Sequence, residues 1–125
     1  MLGAMRWILG GGLGLLWVAG CGDPVKDRPA KWSYISAAII EPSCSTVSCH
    51  SKLGRAQGLE LESKDGAYTE LLGGGFVVPG APDQSKLMFL LRGKEVNRRM
   101  PPDVPLSDPD IALIERWILE GAKAE

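Results

Sequence analysis

A chain of 125 residues with 14 basic and 15 acidic side chains is close to neutral, so its composition carries no electrostatic grip on nucleic acid. No basic stripe with interleaved aromatic residues occurs either, which removes nucleic acid as a partner. All the imidazole and thiol chemistry rests on one histidine and three cysteines.

In chain order, residues 1–20 read as an export signal rather than as part of a domain. Arg6 supplies the positive charge that opens such a signal. The uncharged run from Trp7 to Gly20 is short and glycine-rich for a spanning helix. Its glycines do not make a phosphate-binding loop, because no strand precedes them and the required spacing is missing. Val18-Ala19-Gly20-Cys21 directly follows this apolar run and resembles the lipobox of bacterial lipoproteins. That resemblance implies cleavage before Cys21, lipidation of Cys21, and a place on the periplasmic side of a bacterial membrane, tethered by acyl chains without a span. The alternative is an ordinary secretory signal with an incidental cysteine. Residues 21–31, rich in proline and charge, read as a flexible tether, and 32–125 as one small domain. Loss of Arg6 would leave 13 basic and 15 acidic residues, a net charge near −2.

Within the domain, Trp32, Ile35 and Ile39 recur at three and four residues and predict a first helix that Pro42 stops. Leu59-Glu60-Leu61-Glu62 alternates like a strand but is too short to build a sheet, so an extended loop is expected. Ser63 or Asp65 caps a second helix through Leu72, ended by the glycines at 73–75. Asp83 caps a third through Lys86–Leu91, closed by Gly93. Ser107-Asp108-Pro109-Asp110 opens the clearest helix, with Ile111, Ile114, Trp117 and Ile118 on its apolar face and Gly121 at its end. No repeat and no pair of parallel strands is evident, so the expected fold is all-α: a small helical domain with long loops.

Cys44, Cys49 and His50 allow three readings. A structural zinc site wants four Cys or His ligands, and only three are at hand. A Cys44–Cys49 disulfide, in a haemless envelope lipoprotein, suits an exported chain. Covalent haem attachment is the third, because a histidine directly after a cysteine delivers a nitrogen to the iron while the thiols bind the porphyrin edge.

The ordered pieces Ile40, Pro42, Cys44, Cys49-His50, Gly58-Leu59-Glu60-Leu61, Tyr68, Leu71, Val78-Pro79-Gly80-Ala81-Pro82, Ser85, Leu87, Met100-Pro101-Pro102, Leu106, Ile111, Trp117-Ile118 and Gly121-Ala122 resemble the small exported c-type cytochromes of bacteria. The resemblance implies a cytochrome-c-like fold around one haem c and its iron, thioethers at Cys44 and Cys49, His50 as proximal ligand and Met100 as distal ligand. It also implies electron exchange with redox partner proteins of the cell envelope rather than enzymatic turnover. Four residues separate the two cysteines here, where the usual motif has two.

Met100 has support of its own, since the prolines after it forbid a helix and stiffen a loop that can hold a thioether against a metal. Met88, inside the run Leu87–Leu91, reads as core packing. Leu59, Leu61, Tyr68, Leu87, Leu90 and Trp117 are candidates for the haem pocket, and Arg98 and Arg99 for its propionates. Were Met100 not on the iron, an open position would permit peroxidase-like chemistry, but no second histidine is present to serve as distal acid or base.

Overall fold

The computed structural model describes residues 27–94 and 98–125. The expected export signal, the expected lipidation of Cys21 and the expected tether up to residue 26 fall outside the described residues. Four helices and no strand occur among those described, as the all-α expectation requires. None of these helices is long and apolar enough to cross a membrane.

The first helix, α1, spans 32–44 and runs past Pro42 instead of stopping there. It is built from an α-turn at Trp32–Ile35, a widened π-turn at Ser36–Ile40 and a last α-turn at Glu41–Cys44. The Glu41 amide bonds to the Ser36 carbonyl, five residues back. Widening the ladder immediately before the proline gives room to a ring that has no N–H to donate and would crowd a regular turn. The helix therefore continues for one more turn and carries Cys44 at its end.

Helix α2, Lys64–Gly73, starts where Ser63 Oγ accepts from the Gly66 amide. Helix α3, Lys86–Leu91, follows a short 3-10 turn at Pro82–Gln84. Its N-cap position is held by Ser85 rather than by Asp83. Ser85 is fully buried and accepts from the Val78 amide while donating to the Ala81 carbonyl, both at 2.9 Å. Its hydroxyl thus ties the preceding loop together, and Asp83 remains in the 3-10 turn. Helix α4, Asp108–Leu119, begins as the sequence predicts: Ser107 Oγ accepts from the Asp110 amide at 3.3 Å and donates to the Asp110 carboxylate at 2.7 Å. The first bond satisfies an amide that a bare helix start leaves open, and the second ties the cap side chain to the carboxylate of the first turn.

The core joins the two ends of the domain. Trp32 of α1 stacks on Trp117 of α4 with centroids 5.0 Å apart, and Tyr68 of α2 stands against both at 5.7 and 6.4 Å. The polar tip of each ring is satisfied by a backbone carbonyl: Trp32 by Lys64, Trp117 by Lys123 and Tyr68 by Ala122, at 2.9–3.0 Å. Ile35, Ile39, Leu71, Met88, Leu113, Ile114 and Ile118 fill in around them. In the segment just before α1, Arg28 bonds to Asp110 at 2.6 Å, its guanidinium lies 5.6 Å from the centre of the Tyr34 ring, and its carbonyl accepts from Arg116. The Asp110 hydrogen bond holds the Arg28 guanidinium above its ordinary pKa.

Between α1 and α2 the chain folds tightly on itself. The His50 amide bonds to the Cys44 carbonyl at 3.0 Å, Ala56 to Cys49 at 2.9 Å, and Leu61 to His50 at 2.7 Å. Buried Ser51 donates to the Val47 carbonyl and accepts from the Gly54 amide. Gly54 is needed for this closeness: a Cβ there would stand 2.6 Å from the carbonyl oxygens of Val47 and Cys49.

Two consequences can be measured by chemical denaturation. Trp32→Ala or Trp117→Ala should cost about 3–5 kcal/mol through lost burial and an unfilled cavity, whereas Leu119→Ala, at a site 62% exposed, should stay within about 0.5 kcal/mol. Gly54→Ala should cost about 1–3 kcal/mol, because backbone rather than a flexible side chain must move. Gly73→Ala, with open space around the added carbon and a place at a helix end, should be neutral or stabilising by up to about 1 kcal/mol.

Candidate haem-binding site

The site is assembled from three stretches. The last turn of α1 brings Cys44, the tight loop that follows brings Cys49 and His50, and the loop between α3 and α4 brings Met100. The Met100 amide is anchored to the Leu90 carbonyl at the end of α3, 3.1 Å away. Proline at 101 and 102 then keeps the chain out of helical geometry.

Cys44, His50 and Met100 all line one cavity of about 460 Å³. The same three residues also line a second, smaller space of about 200 Å³, joined there by Cys49, Pro101 and Pro102. The main cavity lies within the size range of cofactor pockets. Leu59, Leu61, Leu71, Phe76, Leu87, Leu90 and Leu91 make its wall largely apolar. A planar apolar macrocycle suits such a wall; an imidazole and a thioether can hold an iron, and nearby thiols can attach the macrocycle covalently.

His50 is oriented from behind. Its Nδ1 lies 3.3 Å from the Leu59 carbonyl, a bond that the ring makes as donor when the proton sits on Nδ1. The loop that supplies this carbonyl is pinned by the Leu59 and Leu61 amides, bonded to Ala56 and His50. It passes through two non-glycine residues in the left-handed region, Arg55 at φ 39° and Gln57 at φ 55°. Such backbone is held only where the surroundings fix it.

Cys44 and Cys49 are both free thiols. Cys44 is half-buried, and burial, with a smaller effect from Cys49 nearby, pushes its thiol up to about pKa 11. It therefore stays protonated and poorly nucleophilic near neutral pH. Among the described residues no three side chains drawn from His, Cys, Asp and Glu gather as a metal-holding group.

The pocket expectations divide. Leu59, Leu61, Leu87 and Leu90 do line the cavity, but Tyr68 and Trp117 belong to the aromatic core instead. They were expected at the pocket because aromatic residues serve either purpose, and sequence spacing does not separate the two. Met88 is buried in the core, away from the cavity. Arg98 reaches the cavity wall, whereas Arg99 turns towards the Arg92 carbonyl, 3.4 Å away. Sequence reasoning missed Gln57, Leu71, Phe76, Lys86 and Leu91 as cavity residues. For Phe76 a signal existed in the apolar run Phe76-Val77-Val78 after the glycines; for Gln57 and Lys86 none did.

Neither a curated protein nor a solved structure matches the chain. A family model does match: residues 47–103, somewhat under half of the chain, are similar to the family described as Planctomycete cytochrome C. The matched stretch contains Cys49 and His50 near its start and Met100 near its end, and omits Cys44 and α4. With four helices, no strand among the described residues and this similarity, the domain is all-α and cytochrome-c-like, and its likeness is to haem-binding electron carriers.

Proposed function

We propose that this domain carries one covalently bound haem c and passes single electrons between proteins of the cell envelope. The observation that carries the proposal is the meeting of Cys44, His50 and Met100 on one apolar cavity. Bound there, haem supplies a reversible one-electron iron couple whose potential depends on its axial ligands and on burial.

In this reading Cys44 and Cys49 attach the cofactor through thioethers, with His50 the proximal and Met100 the distal ligand. The Leu59 carbonyl holds the His50 proton on Nδ1 and leaves the Nε2 lone pair free for a metal, which fixes both ring orientation and tautomer. The proline-stiffened loop limits how far the Met100 sulfur can retreat. Leucines and Phe76 exclude water, which favours the less charged, reduced state. With His50 and Met100 both engaged, no position would be left for a substrate, so the site would suit electron carriage rather than catalysis. The longer cysteine spacer is accommodated by the turn in which the Cys49 amide bonds to the Thr46 carbonyl at 2.8 Å and the His50 amide to Cys44.

The rest of the proposal concerns location. Residues 1–20 would direct export, Cys21 would carry the lipid, and the domain would work on the periplasmic side of a bacterial membrane, within reach of redox partners.

Haem staining of the denatured full-length protein, made in cells with an intact cytochrome-maturation system, should give a coloured band; a colourless one would sink the proposal. The oxidised protein should show a sulfur-to-iron absorption band that disappears in Met100→Ala and survives in Met88→Ala, even though the latter loses about 2–5 kcal/mol of stability. Cys44→Ser should retain covalent haem through Cys49, with the reduced pyridine complex displaced to the position typical of a single thioether. An unchanged spectrum would show that Cys44 is not attached.

A further inference from the structure

The polar side chains of the main cavity fall into two sets. Cys44, His50 and Met100 bear on attachment and ligation. Gln57, Lys86 and Arg98 have no part in either, yet they interrupt a wall that is otherwise leucine and phenylalanine.

Of the described cations without a carboxylate partner, Lys86 and Arg98 are the ones that line this cavity. Arg28 is paired with Asp110 and Arg92 with Glu115, each at 2.6 Å. Among the described residues neither Lys86 nor Arg98 has a carboxylate partner. Lys86 is held near the cavity by its neighbours, and Arg98 lies close in sequence to an anchored residue. The Lys86 ammonium lies 5.4 Å from the centre of the Phe76 ring, itself part of the wall, and the next amide, Leu87, bonds to the Phe76 carbonyl at 2.9 Å. Arg98 stands two residues before Met100, whose amide is anchored to Leu90. Gln57 is held in its left-handed conformation by the bonds from Gly58 to Arg55 and from Leu59 to Ala56.

We propose that Lys86 and Arg98, with Gln57 as a neutral donor, form the carboxylate edge of this cavity, where the two propionates of the haem are held and its reduction potential is raised. The inference rests on the haem reading. A haem brings an apolar plate with two carboxylates on one side, and carboxylates placed against an apolar wall are costly unless they are paired. Two unpaired cations match that charge. Arg98 can grip a carboxylate with two parallel bonds, while Lys86 acts as a point charge at the mouth. Positive charge near the iron favours the state with one more electron, so these residues raise the potential. Arg99, directed towards Arg92, takes no part.

The test uses the full-length holoprotein and the variants Lys86→Gln, Arg98→Gln, their combination, and Arg99→Gln. In the ferrous-minus-ferric infrared difference spectrum, the propionate carboxylate bands should move in Lys86→Gln and in Arg98→Gln. The potential should fall in each, and further in the double variant. Lys86→Arg and Arg98→Lys, which keep the charge, should restore the potential, and Arg99→Gln should change neither reading. Carboxylate bands left at their wild-type positions in either glutamine variant would overturn the two-cation edge while leaving the haem reading intact. A chain that stains for no haem would overturn both.

Discussion

The stack of Trp32 on Trp117 is the constraint from which the site follows. It joins the first helix to the last, and Tyr68 locks the second helix against the pair. Offset and tilted ring contacts of this kind contribute about 0.5–1.5 kcal/mol each beyond simple burial. More important, the polar tips of the three side chains are satisfied by backbone carbonyls of Lys64, Ala122 and Lys123, so the rings are fixed in position as well as in contact. With the start of α1 held in this way, its far end has little freedom, and Cys44 is delivered to the cavity from a fixed base.

From that base, the loop from Cys44 to Leu61 works by backbone hydrogen bonding more than by packing. His50 is bonded at its amide, its carbonyl and its ring, to Cys44, Leu61 and Leu59 in turn. An imidazole constrained at so many points costs little further ordering when it takes a ligand. The exposed side chains of Val47 and Leu53 add no packing to this framework. The frame also makes sense of Gly54 and of the unusual backbone at Arg55 and Gln57: the turn is tight because a carbonyl has to reach the back of the ring.

Much of this was legible in the sequence, where a single residue type had a single physical use. Ser63, Ser107 and Gly121 mark helix ends by capping and turn chemistry, and they sit where they were expected. The adjacency of Cys49 and His50 and the Met-Pro-Pro segment could be read because few other reasons exist for those combinations. Legibility failed where a residue had two uses. Pro42 reads as a stop signal, and only the hydrogen-bond ladder shows that a wide turn accommodates it. Asp83 and Ser85 are both capping types, and the choice was made by Ser85's burial. Tyr68 and Trp117 could have served a pocket or a core. Lys86 was invisible as a cavity residue because its place depends on Phe76, ten positions earlier and across a loop.

The wide turn at Ser36–Ile40 has a rotational meaning. A regular helix advances by about 100° per residue, so the twelve positions from Trp32 to Cys44 would leave the two side chains roughly 120° apart around the axis. A turn closed five residues back takes up one extra residue, which cancels nearly all of that angle. One inserted position therefore acts as a phase correction: the tryptophan that enters the core and the cysteine that faces the cavity come to share a side of the same rod.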